Sequence, residues 1–191
     1  MKKRICVFAS SSNKIDEVYF TSAKELGELI AKNNYDLIYG AGCVGTMLSV
    51  AENAQNNGAK VYGVIPKRLT GIGVDWAGCD EYIVTEDMAS RKKKMRELSD
   101  AFVAIPGGFG TLEEISEVIT LKQLGYHANP IVFLDTNNFY SELFAQFNTF
   151  YEQHFARQDN KKLYYIAKTP EEAINYIINY KASEPVMKWE K

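Results

Sequence analysis

The fold of this chain is decided by the stretch Ala101-Phe102-Val103-Ala104-Ile105-Pro106-Gly107-Gly108-Phe109-Gly110-Thr111. Its first five residues are apolar and have the length of a buried β-strand, and after the proline come three glycines within four residues. Thr111 then opens a helical pattern. A loop of this composition exposes several backbone N–H groups to one anion at the start of a helix. The stretch therefore predicts a strand, a phosphate-binding loop and a helix in succession.

The same alternation of strand-length apolar runs with helical patterns continues in both directions. It predicts strands at 5–9, 37–39, 61–65, 82–84, 101–105, 131–134 and 164–167. The intervening helices are predicted at 16–32, 44–56, 87–98, 111–124, 139–154 and 170–180. This order is typical of an α/β, Rossmann-like, doubly wound fold, with a mostly parallel sheet of about seven strands and helices on both faces.

A length of 191 residues suits one buried core, so we expect a single nucleotide-binding domain over residues 1–181 and a C-terminal tail at 182–191. The one irregular connection, 66–79, contains three glycines and has no apolar period. It lies where a crossover helix is expected. A loop of that length in a compact domain is typical of a lid or a binding loop.

Composition excludes several classes of protein. A net charge of −2 and a pI near 5.8 provide no field to attract nucleic acid. Three widely spaced cysteines, Cys6, Cys43 and Cys79, fit neither a disulfide framework nor a zinc site. The apolar run at 5–9 is too short for a signal peptide or a membrane span. We therefore expect a cytoplasmic protein with no metal site and no membrane or nucleic-acid partner.

Three strand-to-helix junctions have the residues to bind an anion: 10–12, 40–45 and 106–111. The second matches the Gly-x-Gly-x-x-Gly spacing of dinucleotide-binding folds. Its context argues against NAD, because the motif follows the second strand and the next strand ends in Ile65-Pro66-Lys67-Arg68, without the acidic residue that would bind the ribose. Glycines that only permit close packing of a helix on a strand remain an alternative for this junction.

Glu114 and the basic run that starts at Arg91 have structural as well as functional interpretations. Thr111-Leu112-Glu113-Glu114 has the pattern of a capping box, which would make Glu114 a helix-capping residue. A run of charges on a helix is usually a solvated face, and this is the expectation for Lys93, Lys94 and Arg96. The two histidines are too few for a metal site, and His127 is expected in a turn.

Taken together, these residues resemble the Lonely Guy phosphoribohydrolases, which are often mislabelled lysine decarboxylases. The hallmark Pro-Gly-Gly-x-Gly-Thr-x-x-Glu is present at 106–114, with the upstream pair Arg91-Lys92 and with matching residues at 6–8, 62–66 and 123–125. The resemblance implies hydrolysis of the N-glycosidic bond of adenosine 5'-monophosphate or its N6-substituted cytokinin relatives, without cofactor or metal, in a homodimer. It implies that Arg91 and Glu114 are catalytic. Implied substrate-binding residues are Lys92, Gly107, Gly108, Gly110, Thr111, Thr120, Ser11, Gly42 and Gly45.

Departures from the family pattern leave base recognition open. Ser10, Ala41, Ala89 and Ser90 stand where the family usually has other residues, and a glutamate common in the long loop has no counterpart around 71–73. A carrier that binds a nucleotide or molybdenum cofactor without hydrolysing it is the main alternative. A lysine decarboxylase ranks third, because no lysine lies in a setting that marks it as a Schiff-base residue.

Overall fold

The computed structural model describes residues 2–182 and contains one seven-stranded sheet. Its strands are β1 (Arg4–Phe8), β2 (Asp36–Tyr39), β3 (Val61–Pro66), β4 (Glu81–Thr85), β5 (Ala101–Ala104), β6 (Ile131–Leu134) and β7 (Tyr165–Ala167). The α-helices of these residues are α1 (Glu17–Lys32), α2 (Gly45–Asn56), α3 (Met88–Glu97), α4 (Phe109–Gln123), α5 (Ser141–Glu152) and α6 (Pro170–Asn179). Short 3-10 helices lie at Lys67–Leu69, Thr136–Asn138 and Gln158–Leu163.

The strand order is β4-β3-β2-β1-β5-β6-β7, and every pairing within this sheet is parallel. The chain adds strands outward from β1 to β4 on one side and from β5 to β7 on the other. This is the doubly wound arrangement that the alternation of elements predicts, so the predicted fold class is confirmed. The direction in which the chain adds strands to the sheet reverses between the neighbouring strands β1 and β5, where Val7 lies beside Val103.

The alternating residues of each strand face two separate cores. Ile5 and Val7 of β1 pack with residues of α1, α2 and α6, whereas Cys6 and Phe8 pack with residues of α3, α4 and α5. Both faces of the sheet are therefore covered, which explains why the strands read as continuous apolar runs. Each fully buried large side chain, such as Leu26 on one face, contributes about 1.5–3 kcal/mol to folding.

Two helices start two residues away from their predicted positions. Helix α4 begins at Phe109 and not at Thr111, and the predicted capping box is not formed. Thr111 and Glu114 are buried, and their side chains bind Ala9 and Arg91 instead of the ends of the helix. These tertiary partners prevail over the local capping pattern. Helix α5 begins at Ser141, after the 3-10 helix Thr136–Asn138 and a two-residue turn.

The long connection after β3 is tied to the loop that follows β2. Its backbone forms an isolated antiparallel bridge: the N–H of Cys43 donates to Val74 O at 3.0 Å, and the N–H of Trp76 donates to Ala41 O at 2.8 Å. The Trp76 ring meets Tyr39 edge to face. The two loops are therefore held together at the carboxyl edge of the sheet, and a lid or binding role for this connection remains a prediction.

Within the described residues, no helix has both the length and the apolar character to cross a membrane. All three cysteines are free thiols. The predicted tail at 182–191 lies outside the described residues apart from Ala182, and the single domain over residues 1–181 remains a prediction.

Candidate functional site

The carboxyl ends of β1 and β5 meet where the sheet changes direction. Strand β1 pairs with β2 on one side and with β5 on the other, and the chain winds away from this point in both directions. Open parallel sheets bind ligands in the crevice outside such a switch point. The loops that enter the crevice are 9–13 after β1 and 105–108 after β5. The phosphate-binding loop predicted from the sequence is therefore at the position where this fold binds ligands.

The N-terminus of α4 is open toward this crevice. Gly108 is the N-cap residue, the N–H of Leu112 donates to Gly108 O at 3.0 Å, and no side chain of the described residues caps the helix. A Cβ atom added at Gly108 or Gly110 would have no atom within 4 Å. The N–H groups of the first turn lack partners within the helix and carry its positive dipole end. This terminus is suited to bind a phosphate.

Thr111 connects the loop after β5 to the loop after β1 on the opposite side of the crevice. Its hydroxyl donates to the backbone oxygen of Ala9, at the end of β1, over 3.0 Å. A Cβ atom on Gly107 would lie 2.1 Å from that hydroxyl oxygen, so a glycine is needed for this contact. Thr111 and Gly107 therefore shape the loop through packing, and direct contact of either residue with a substrate remains a prediction.

A buried ion pair lies one turn beyond the start of α4. Nη1 of Arg91, from α3, lies 3.0 Å from Oε1 of Glu114, and both residues are buried. The same guanidinium donates through Nε to Val64 O at 3.0 Å and through Nη2 to Gly40 O at 3.4 Å. The arginine therefore joins the ends of β2 and β3 to α4 and fixes one carboxylate oxygen of Glu114.

Burial raises the pKa of the Glu114 carboxyl above its ordinary value. Arg91 opposes this shift, Glu113 adds to it, and Lys92 opposes it more weakly. Arg91 therefore partly offsets the effect of burial, which alone would raise the pKa of this carboxyl further. A carboxylate with a raised pKa in a crevice has the property expected of a general base.

Lys92 does not join this pair. Its ammonium contacts Glu113 and lies 3.3 Å from Glu117, both on the exposed side of α4. Arg96 lies beside it, with Nη1 at 2.6 Å from Oε2 of Glu117. The expectation that Arg96 belongs to a purely solvated face is therefore wrong, because it pairs with α4. The role of Lys92 in substrate binding remains a prediction.

Thr120 lies on a different face of α4 from Glu114. Six residues of α-helix separate the two by about 9 Å along the axis and about 120° around it. The Thr120 hydroxyl donates to Ser116 O at 2.9 Å, and the residue lines a cavity of about 190 Å³ with aromatic residues that include Phe147 and Tyr164. Within one chain, the structure does not bring Thr120 to the ion pair.

At the junction after β2, backbone N–H groups at the start of α2 are already bonded to other residues of the chain. The N–H of Gly45 donates to Oδ1 of Asn13 at 2.7 Å, and the N–H of Met47 donates to Ser10 O at 3.1 Å. Gly42 is paired with the long connection in the isolated bridge. The start of α2 therefore holds the neighbouring loop, which contains the exposed Ser11, and substrate contacts by Ser11, Gly42 and Gly45 remain predictions.

One supporting residue was not identified from the sequence. The hydroxyl of Tyr140, after β6, donates to Ile105 O at 2.7 Å and so holds the backbone just before Pro106. No local motif indicates this contact, because it joins residues that are 35 positions apart. Both ring nitrogens of His127 contact the backbone, at Val118 O and at the N–H of Asn129, which agrees with a structural role near a turn.

Fold and site together define a Rossmann-like α/β protein with an open helix N-terminus beside a buried arginine–carboxylate pair. The chain belongs to the family whose model is described as "Possible lysine decarboxylase" and matches residues 47–177. A probable cytokinin riboside 5'-monophosphate phosphoribohydrolase from Oryza sativa subsp. japonica is 39% identical over 98% of this chain and 79% of its own length. A cytokinin riboside 5'-monophosphate phosphoribohydrolase from Arabidopsis thaliana is 38% identical over 93% and 84%. The resemblance to the Lonely Guy family is thereby confirmed.

Solved structures share the fold at lower identity. The molybdenum cofactor carrier protein of Chlamydomonas reinhardtii is 24% identical, with a TM-score of 0.71 over 93% of this chain and 97% of that chain. The molybdenum cofactor binding protein of Rippkaea orientalis is 23% identical, with a TM-score of 0.69 over 93% and 96%. At such identities the likeness concerns the fold alone.

Proposed function

We propose that this protein hydrolyses the N-glycosidic bond of adenosine 5'-monophosphate or of N6-substituted riboside 5'-monophosphates, releasing the free base and ribose 5-phosphate. The observation that carries the proposal is the buried Arg91–Glu114 pair, which lies beside the open N-terminus of α4 at the switch point of the sheet. Relatives at 38–39% identity whose names include this activity support the substrate class.

In this proposal the 5'-phosphate binds to the N–H groups at the start of α4. Glu114 follows Phe109 by five residues, which is about 7 Å along the helix. This separation is comparable to the length of a ribose 5-phosphate, so a phosphate at the helix terminus places the sugar next to the carboxylate. The negative Glu114 would repel a phosphate placed directly against it, and the sugar between them keeps the two charges apart.

The reaction breaks the bond between C1' of the ribose and the base nitrogen. The electron pair of that bond leaves with the base, which takes up a proton, and positive charge develops on the ribose. Glu114 stabilises this charge, accepts a proton from the water whose oxygen bonds to C1', and then releases it to solvent, which balances the proton that the base takes up from solvent. The sum is nucleotide plus water to base plus ribose 5-phosphate, and no step needs a metal or an organic cofactor.

Arg91 acts in this mechanism through the carboxylate. Each of the three nitrogens of its guanidinium donates one hydrogen bond, to Val64 O, Glu114 and Gly40 O respectively. It therefore holds one oxygen of Glu114 in place and lowers the carboxyl pKa, which leaves the other oxygen to face the sugar and the water. An arginine suits this role because it stays charged even when buried.

Pyridoxal phosphate chemistry, as the name of the family model suggests, does not fit the lysines of this chain. Lys122 is the one lysine that is buried within residues 2–182. Its Nζ donates to Leu163 O at 3.0 Å and lies 4.9 Å from the centre of the Tyr180 ring. It follows Phe109 by thirteen residues, about 20 Å along α4 and therefore far from the proposed phosphate site. We propose no decarboxylase activity.

We further propose a homodimer whose interface includes the site. Phe109, in the phosphate-binding loop, is 92% exposed, and a second chain docked at the site would bury this large apolar side chain. Thr120 faces away from the Glu114 of its own chain, and in the proposed dimer it would contact a substrate held by the other chain. The cytoplasmic location also remains a prediction from the sequence.

Incubation with a panel of nucleoside monophosphates tests the proposed function. Adenosine 5'-monophosphate or an N6-substituted relative should yield free base and ribose 5-phosphate in equal amounts by chromatography. A carrier of nucleotide or molybdenum cofactor would bind its phosphate-bearing ligand and return it unchanged. Tight binding of every monophosphate without release of base would contradict the proposed hydrolase and favour the carrier.

A further inference from the structure

Gly40, at the carboxyl end of β2, lies directly against the guanidinium of Arg91. A Cβ atom at Gly40 would lie 1.9 Å from Nη2 and 3.1 Å from Cζ of that arginine. It would also lie 2.7 Å from Cε of Met47, the flexible end of a methionine. The backbone of Gly40 is outside the left-handed region, so the constraint at this position is space alone.

The guanidinium cannot yield to such a Cβ without losing contacts. It is a planar fork that donates to Val64 O, Glu114 and Gly40 O from three different nitrogens. A shift that relieves the clash at Nη2 moves Nη1 with it, because both belong to one rigid group. The hydrogen bond from Nη1 to Glu114 is then lengthened or broken.

We propose that Gly40 is a positioning residue, whose missing side chain provides the space in which the Arg91 guanidinium reaches Glu114. The consequence for catalysis rests on the proposed function, whereas the effect on the ion pair does not. Gly40 itself touches neither the reacting atoms nor the proposed phosphate site. It acts through the arginine.

The charged and titratable groups around Glu114 predict the direction of the effect. Arg91 and Lys92 of α3 lower its pKa, Glu113 of its own helix raises it, and Cys6 of β1 interacts with it from the sheet. Burial has the largest effect and raises the pKa of Glu114. Displacing the guanidinium removes the largest opposing influence, so the Glu114 carboxyl should become harder to ionise.

The test is the variant Gly40→Ala in the full chain. The Glu114 pKa is measured by NMR of carboxyl carbons labelled with ¹³C, with Glu114→Gln used to assign the signal. We expect an upward shift of about one pKa unit or more, as when a carboxylate loses a charged neighbour. We also expect a loss of about 100-fold in kcat, the effect of a misplaced catalytic group. The acid limb of the kcat/KM profile should move to higher pH by the same interval as the pKa.

Gly63→Ala is the matched control. Its new Cβ would meet Cys79 Sγ at 2.9 Å and Ala41 Cβ at 3.0 Å, so it crowds the same loop from β3, and its three nearest atoms do not belong to Arg91. It should lower the melting temperature by crowding this loop and leave the Glu114 pKa in place. In the double variant Gly40→Ala/Arg91→Lys, the glycine substitution should add little to the effect of Arg91→Lys alone, because the guanidinium it displaces is absent.

An unchanged Glu114 pKa in folded Gly40→Ala would overturn the inference. If Gly40→Ala does not fold, the double variant decides: recovered folding locates the clash at the guanidinium, and continued failure contradicts it. If the wild-type chain releases no base from any nucleotide, the proposed function fails. The pKa measurement then still decides the role of Gly40.

Discussion

Replacing Lys122 with methionine tests both the burial of this lysine and its exclusion from catalysis. Burial lowers the pKa of Lys122 from 10.5 to about 8. Since one pKa unit corresponds to about 1.4 kcal/mol, a shift of this size corresponds to about 3 kcal/mol between the two charge states. At pH 7 the folded protein therefore holds a buried ammonium group at a cost of this order, which methionine removes while filling a similar volume.

The pH dependence has a definite sign. Because the folded pKa lies below the unfolded one, the unfolded chain binds more protons between about pH 8 and 10.5. The contribution of Lys122 to stability is complete above that interval and is lost as the pH falls through it. The hydrogen bond to Leu163 and the contact with Tyr180 are lost from the variant throughout. The free energy of unfolding of Lys122→Met minus that of wild type should therefore be about 2–3 kcal/mol larger at pH 7 than at pH 10.

Urea unfolding of wild type and variant at pH 7 and pH 10 gives this difference directly. The control is Lys93→Met, since Lys93 is exposed, and its stability relative to wild type should not change between pH 7 and pH 10. Release of base by Lys122→Met should stay at the wild-type rate, because the residue is remote from Glu114. A stability difference that does not change with pH would refute the burial argument. A folded Lys122→Met variant without activity would indicate that Lys122 takes part in catalysis.

Three further predictions concern the site and the assembly. Arg91→Ala should lower kcat by about 100-fold to 10,000-fold in steady-state kinetics, as Glu114→Gln should, whereas Lys94→Ala should do little; equal losses would indicate an undifferentiated charged face. Thr111→Val should lower the free energy of unfolding in urea by about 1 kcal/mol and raise KM for the nucleotide, because Ala9 O loses its donor. An unchanged KM would show that this hydrogen bond does not contribute to nucleotide binding. Light scattering at micromolar concentration should give a dimer, and an active monomer of about 21.6 kDa would refute a shared site.

Local patterns were sufficient to predict the strands. Each strand contains a short apolar run, most of these runs end at polar, glycine or proline residues, and the predicted limits of β6 are those observed. The parallel order follows because helices separate most of these runs. The start of α4 was harder to place, because the side chain of Thr111 crosses the crevice to Ala9 instead of capping its own helix.

The site was only partly predictable, for physical reasons. The family resemblance identifies Glu114 through the motif at 106–114 and Arg91 through the separate Arg-Lys pair upstream, and the structure joins the two side chains. The same resemblance groups Thr120 with them, although its spacing from Glu114 on the helix places it on another face. The hydroxyl of Tyr140 and the burial of Lys122 depend on contacts between residues distant in sequence, for which no local pattern exists.

The central claim is that a 5'-phosphate at the start of α4 holds the ribose against Glu114. Parallel incubations with adenosine 5'-monophosphate and adenosine, and with an N6-substituted pair, test it by chromatography of the free base, with Glu114→Gln as the control. Binding energy from the phosphate should serve the chemical step, so the nucleotides should release base and the nucleosides should be cleaved poorly or not at all. Glu114→Gln should bind the nucleotide and lose most of the turnover. Equal cleavage of nucleotide and nucleoside, or more than half of wild-type activity in Glu114→Gln, would contradict the claim.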